Sequence, residues 1–284
     1  MAGVVEFGKF PSGTLRVDKG FKFEDVDPNA TPGYTGKKAD GEELLADLDG
    51  KLAELQEKLF AEAKFGGSKR VLLILQGMDT AGKGGIVKHV LGAMDPQGVR
   101  FKSFKAPTDE EKAYDFLWRI EKVVPAAGTM GVFDRSHYED VLIHRVHGWA
   151  DPKELQRRYA AINEFEARQT AVGTAVIKVM LNISSDEQKN RLLARLDKPA
   201  KHWKYSTGDL KERAFWDDYM AAYQAAFDAT STDGAPWYVV PANKKWYARI
   251  AVQQLLLEAL MALKLEWPKA DFDVDAERRL LEKS

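Results

Sequence analysis

The stretch Val71-Leu-Leu-Ile-Leu75-Gln76-Gly77-Met78-Asp79-Thr80-Ala81-Gly82-Lys83-Gly84-Gly85 runs from five apolar residues into a glycine-rich turn that carries one lysine. An uninterrupted apolar run of this length fits a strand covered on both faces, as in a parallel sheet. The turn has the G-x-x-x-x-G-K spacing, and the residues after it can begin a helix, which is the context this spacing needs to bind phosphate. The glycines let backbone N–H groups turn inward around an anion, and the following helix N-terminus adds partial positive charge. Gly77, Gly82 and Gly84 are therefore candidate phosphate-binding positions, and Lys83 adds a full charge. The plainer alternative is a glycine turn with a surface lysine, and the buried strand directly before it argues against that.

The turn departs from the usual pattern at one place. A phosphate loop ordinarily carries Ser or Thr after the lysine to hold Mg²⁺, and here that position is Gly84. Another oxygen must then serve the metal. Asp79, inside the loop, is one candidate. Asp134 is the other, because it ends the apolar run 129–133, and acidic metal ligands sit at the carboxyl ends of such strands. A helix cap or an ion pair with Arg135 is the competing reading of Asp134.

Outward from the loop, strand-like and helix-like segments alternate. Leu44, Leu48, Leu52, Leu55 and Leu59 recur at helical spacing before it. After it, the pattern predicts a helix over 82–94, a strand over 99–104, and a helix over 110–122 with Ala113, Phe116, Leu117 and Ile120 inward. A strand over 129–133, a helix over 152–172 and a strand over 174–183 follow. Ser184 and Glu187 form the pattern of a capping box. A helix marked by Trp216, Tyr219, Tyr223 and Phe227, a strand over 237–240 and a helix over 244–265 complete the chain. Such alternation implies an α/β fold with three layers, a parallel sheet between helices. Residues 1–40 read as an irregular arm and 41–284 as one domain.

Composition bounds the rest. Of 284 residues, 45% are hydrophobic and 30% charged, enough to bury a core. No cysteine is present, so disulfides and thiolate metal sites are excluded and a cytoplasmic setting is expected. Residues 1–9 lack the basic and apolar segments of a signal peptide, and the apolar stretch 255–265 is too short to cross a membrane and is interrupted by Glu258 and Lys264. Lys and Arg (42) balance Asp and Glu (43), so any anion-binding surface must be local.

One such surface is visible. Lys189, Arg191, Arg195, Lys198, Lys201 and Lys204 face a single acid, Asp197, within sixteen residues. Arg191 and Arg195, four apart, share a helix face. Late in a phosphate-loop fold, a charged segment at about 189–213 reads as a lid, because phosphoryl transfer between two anions needs Arg and Lys to offset repulsion. A solvated charged face is the plainer reading. Arg100, Lys102, Lys105, Arg119 and Arg135 could extend the anion path. Nucleic acid is set aside as a partner, since Trp203 and Tyr205 are the only aromatics in the segment and no nucleic-acid fingerprint accompanies it. The histidines form no H-E-x-x-H zinc motif.

The phosphate loop 77–85, Phe133-Asp-Arg-Ser-His-Tyr-Glu-Asp140, Arg195-Leu-Asp-Lys-Pro-Ala-Lys-His-Trp-Lys204 and Ala235-Pro-Trp-Tyr-Val-Val-Pro-Ala-Asn-Lys244 together resemble the polyphosphate kinase 2 family over residues 40–265. The resemblance implies a P-loop kinase core with a helical lid that uses inorganic polyphosphate and Mg²⁺ to phosphorylate nucleotides. It implies Asp79 and Asp134 as the acidic pair around metal and phosphates, Lys83 as the loop lysine, Arg135 beside the second acid and Arg195 as a basic lid residue. The segment 136–139, with Glu139, and the region of Asn243 are most similar to the group that accepts both nucleoside mono- and diphosphates, although members of that group carry Asn where this chain has Asp134.

The expected reaction is thus phosphoryl transfer between polyphosphate and a nucleotide, with Arg119, Glu139, Arg191, Lys198, Lys201 and Lys204 as further binding residues. An ATP-dependent kinase of the same loop class and a non-enzymatic nucleotide switch are the alternatives. The leucine- and aromatic-rich helices and the arm make a homo-oligomer the expected assembly, with no membrane partner.

Overall fold

Five parallel strands in the order β2-β3-β1-β4-β5 form one sheet: β1 (Arg70–Gln76), β2 (Val99–Ser103), β3 (Met130–Asp134), β4 (Thr174–Asn182) and β5 (Trp237–Pro241). The computed structural model describes residues 12–284; residues 1–11, and with them the reading of the N-terminal nine and the start of the expected arm, lie outside the described residues. Side chains alternate across the sheet as strand geometry requires. Val71, Leu73 and Leu75 pack with Leu52, Leu59, Ile86 and Leu256 on one side. Leu72 and Ile74 pack with Phe133, Phe165 and Phe227 on the other. On the first side lie the helices α1 (Lys38–Lys64), α2 (Lys83–His89) and, after β5, α8 (Lys245–Ala262). On the second lie α3 (Glu139–Val146), α4 (Pro152–Ala171) and α7 (Trp216–Thr230), while α5 (Ser185–Leu196) and α6 (Thr207–Arg213) stand between β4 and α7 in sequence. The chain is therefore α/β, with helices on both faces of a parallel sheet.

Three local expectations change. The helix over 110–122 is two short pieces, Asp109–Lys112 and Trp118–Glu121, because the Asp115 carboxylate accepts from the Leu117 amide at 3.1 Å and starts a new turn; Ala113 is exposed, whereas Leu117 and Ile120 point inward. The helix over 82–94 stops at His89 and continues as a 3₁₀ turn, Leu91–Ala93. Of the capping box only one half forms. Ser184 accepts from the Glu187 amide at 3.2 Å, but the Glu187 carboxylate is drawn to Arg191 Nε at 2.6 Å instead of returning to the cap.

Residues 12–37 hold little regular structure and lie against the body. Val17 N–H donates to the Trp237 carbonyl at 2.8 Å, and Arg16 bridges Tyr238 in antiparallel sense, so the edge of β5 is covered. Further on, Asn243 N–H donates to the Pro28 carbonyl at 3.1 Å.

One charge pair sits inside the core. Lys178 occupies a strand position where its neighbours 176 and 180 are apolar, and it is fully buried. Its ammonium donates to Glu166 Oε2 at 2.6 Å, the Thr230 carbonyl at 2.7 Å and the Tyr138 hydroxyl at 3.0 Å, which uses all three of its protons. Burial pushes its pKa down and Glu166 opposes that shift. Among the described residues no helix is long and apolar enough to cross a membrane.

Candidate active site

Strand β1 hands the chain to a tight loop. Gly77 has φ +146° and Gly82 φ +120°, and at Gly77 a Cβ would lie 2.8 Å from the Leu181 carbonyl oxygen, so glycine is required there. Thr80 is held at φ +67°, a left-handed conformation that a β-branched residue adopts only under constraint. Beyond the loop, Gly84 and Gly85 face open space in the first turn of α2. Lys83 Nζ donates to the Gly77 carbonyl at 2.7 Å, closing the loop on itself. Burial lowers the pKa of this ammonium, Arg135 adds to the effect, and Asp134, Asp79 and Glu139 oppose it.

Strand β3 runs beside β1 with Asp134 in register with Leu75, which puts this carboxylate at the mouth of the loop. Asp134 Oδ1 is buried and has no hydrogen-bond partner among the described residues. The next residue, Arg135, has φ +62°, and its guanidinium turns back to donate from Nη2 to Asp79 Oδ1 at 2.7 Å. Glu139, then Asp79 and Asp134, hold that guanidinium firmly cationic. Glu139 Oε2 lies 4.0 Å from Arg135 Nη1. Burial raises the Glu139 pKa while Arg135 and Lys83 restrain the rise. The buried Gln76 amide is satisfied with its nitrogen toward Glu139 Oε1 at 3.0 Å and its oxygen toward the Ser136 hydroxyl at 3.1 Å.

A cleft of about 1030 Å³ opens over these groups. Its acids are Asp79 and Asp134. Lys83, Lys88, Lys105 and Arg135 line it from the body, Arg195, Lys201 and Lys204 from the charged segment, and Lys245 and Arg249 from α8. Nine cations against two acids make it a site for a multiply charged anion. The charged segment itself consists of α5, the 3₁₀ turn Pro199–Lys204 and α6. Arg195 Nη1 donates to the Lys204 carbonyl at 2.8 Å and pairs with Asp209 at 3.3 Å, which ties these three pieces together.

Several sequence-predicted residues have other partners. Arg191 is buried and spends its guanidinium on backbone carbonyls, at 2.9 Å from Thr80 and 2.7 Å from Ala242, so it braces the loop instead of meeting phosphate. Arg119 is likewise buried; it donates to the Lys105 carbonyl at 2.9 Å and pairs with Asp140 at 3.4 Å, steadying Lys105 from behind. Lys198 is exposed and outside the cleft wall, and Arg100 and Lys102 lie exposed on β2, the edge strand. Gly77 and Glu139 stand behind the wall and do not line it. Lys88, Lys245 and Arg249 are additions. The sequence carries a signal for two of them: Lys245 and Arg249 are cations four apart at the start of a largely apolar helix.

The donors also suit a hard cation. Asp79 and Asp134 face one cleft, and the orphaned Asp134 Oδ1 is an acceptor in need of a positive partner. Among the described residues no cluster of three or more His, Cys, Asp or Glu forms a ready metal cage. Two carboxylates with the remaining ligands taken from phosphate and water is the usual way Mg²⁺ is held in phosphoryl-transfer sites.

A strained glycine loop closed by a buried lysine, opening beneath so many cations, places the molecule among P-loop phosphotransferases. More narrowly, the chain belongs to the polyphosphate kinase 2 family, whose model, Polyphosphate kinase 2 (PPK2), matches residues 35–267. It is 44% identical over 257 residues to an AMP/ADP-polyphosphate phosphotransferase of Meiothermus ruber, covering 90% of this chain and 95% of that one. It is 41% identical over 270 residues to an ADP-polyphosphate phosphotransferase of Rhodopseudomonas palustris, with 89% of each covered. The crystal structure of polyphosphate kinase 2 from Arthrobacter aurescens superposes with a TM-score of 0.97 at 74% identity, over 99% of both chains.

Proposed function

We infer that this chain is an enzyme that transfers a phosphoryl group between inorganic polyphosphate and a nucleotide, converting ADP to ATP, AMP to ADP, or both. The observation that carries the reading is the cleft, in which nine cations surround a phosphate loop and two carboxylates. A short anion would leave many of these charges unpaired, whereas a long polyphosphate can pair with a row of them, among which Lys83, Lys88, Lys245 and Arg249 line the same cleft.

In this reading polyphosphate lies along that row with its terminal group at the loop. Lys83 leaves the Gly77 carbonyl and takes up the transferring phosphoryl oxygens. The nucleotide phosphate that attacks in line has a second pKa of about 6 and is already ionised at neutral pH, so no general base is needed. Arg135 and Arg195 offset the charge that the two anions bring together, one from β3 and one from the lid formed by residues 189–213. Lys201 and Lys204 add to the lid side, and Glu139 keeps Arg135 oriented. Asp79 and Asp134 would hold Mg²⁺, which when bound neutralises phosphate charge and fixes the geometry of transfer. The chemistry is reversible in principle.

The names of the two relatives support AMP and ADP as acceptors. We propose a cytoplasmic enzyme that assembles as a homo-oligomer, with residues 1–40 as an arm on the catalytic domain 41–284.

Purified protein given polyphosphate with either AMP or ADP, and no ATP, tests the assignment. Formation of ADP or ATP is the expected result. Product formed only when ATP is the donor would favour an ordinary nucleotide kinase, and nucleotide binding with no turnover would favour a switch.

A further inference from the structure

The back of the phosphate loop is held by one helix. Three successive loop carbonyls point at α5: Asp79 O accepts from Gln188 Nε2 at 3.2 Å, while Thr80 O and Ala81 O accept from Arg191 Nη1 at 2.9 and 3.0 Å. Gln188 and Arg191 are three apart and share the helix face. In a trans peptide the C=O and the next N–H point in opposite directions. Pulling the Asp79 and Ala81 carbonyls toward α5 therefore turns the Thr80 and Gly82 amides away from it. The same grip holds Thr80 at its left-handed φ of +67°, a strained conformation that persists only where surroundings impose it.

The two gripping residues differ in what stands behind them. Arg191 is tied on every side, with Nε to Glu187 at 2.6 Å and Nη2 to the Ala242 and Asn243 carbonyls at 2.7 and 3.0 Å. It is a fixed brace between the loop and the end of β5. Among the described residues the Gln188 side chain has one further partner: its Oε1 accepts from Arg213 Nη1 at 3.0 Å, and Arg213 also reaches the Ser185 carbonyl at 2.5 Å. Arg213 is the last residue of α6, at the far end of the lid segment. Gln188 is 1% exposed, so no water competes for its amide.

We propose that Gln188 is a positioning residue that transmits the state of the lid to the phosphate loop. With Arg213 docked, the Gln188 oxygen is engaged and its nitrogen must face the Asp79 carbonyl. When Arg213 withdraws, the amide is free to turn and the loop loses one of its three anchors, at the residue whose carboxylate meets Arg135. The phosphate cradle is then complete only while the lid is seated. This rests on reading 77–85 as the phosphate loop and 189–213 as the lid.

The test is the full-length Gln188→Glu variant, which keeps an acceptor for Arg213 but has no N–H for the loop. Its melting temperature should stay near that of the unaltered protein. Its kcat should fall on the order of tenfold through lost positioning, and the uncharged Gln188→Met variant should show the same fall with KM for polyphosphate little changed. Hydrogen exchange at the amides of residues 79–82 should quicken. Arg213→Ala should show the same kcat loss and the same faster exchange, and the double variant should be no worse than either single one. Gln188→Met, with neither donor nor acceptor, serves if the glutamate variant does not fold. Unaltered exchange and kcat in the position-188 variants, or a double variant whose defect is the product of the singles, would overturn the proposal. Because hydrogen exchange needs no substrate, a failure of the polyphosphate assignment would leave this result readable.

Discussion

Arg135 reaches back from the end of β3 to Asp79 in the phosphate loop, 2.7 Å from Nη2 to Oδ1. The contact joins residues 56 positions apart and sets the two acids of the site in unequal states. Asp79 already has a cation, whereas Asp134 Oδ1 has no hydrogen-bond partner among the described residues. Asp134 would thus be the freer of the two carboxylates to hold a divalent ion, since Asp79 Oδ1 is already engaged by Arg135.

Asp134→Asn should therefore raise the Mg²⁺ concentration needed for half-maximal activity more than Asp79→Asn does, with the first shift on the order of 10-fold, as for loss of a carboxylate interaction with a cation. Titrating Mg²⁺ into each variant after chelation checks the order, and chelation alone should abolish turnover.

Lys83→Met should lower kcat by on the order of 10²-fold, the usual cost of removing one transition-state charge partner. Fold should survive, because burial already disfavours this ammonium in the native state and the substitution relieves that penalty. Steady-state rates beside a circular dichroism melt test both halves.

His89 lies in the cleft wall between cations, and burial, Arg249 and Lys88 lower its pKa below the ordinary value. A bound polyanion would raise that pKa again, so binding takes up a proton. The sign follows: the proton-linked part of the affinity is fully present below the lowered pKa of free His89 and is lost as pH rises through the raised pKa of the complex. KM for polyphosphate should accordingly increase as pH rises from below the ordinary histidine range. His89→Ala should flatten the profile.

Lys178→Met should destabilise the fold by about 3–5 kcal/mol, because it leaves the buried Glu166 carboxylate without its cation. Adding Glu166→Gln should recover part of the loss, since the unpaired charge is then gone. Urea unfolding of the three proteins measures both effects, and nucleotide assays of the folded fraction should show little change in KM.

Much of this molecule was legible in short stretches. The apolar run 71–75, the glycine spacing 77–82 and the alternation of strands and helices led to a parallel sheet and its phosphate loop, because strand burial and positive φ at Gly77 and Gly82 are imposed within a few residues. The helix expected over 110–122 breaks for a reason equally local: one carboxylate, Asp115, offers the backbone a better partner than the next helical turn.

The arginines were another matter. Arg191 and Arg195 are four apart on one helix face, and the sequence treats them alike. Packing separates them, since Arg191 meets the carbonyls of Ala242 and Asn243 some fifty residues later while Arg195 opens into the cleft. Lys245 and Arg249 join the site only because α8 lies beside α2. The sequence by itself determined the loop and the layers around it, through periodicity and backbone conformation. Tertiary structure alone decided which charges face phosphate and which face backbone, because the fate of a charge depends on the nearest dipoles in space, and those come from distant parts of the chain.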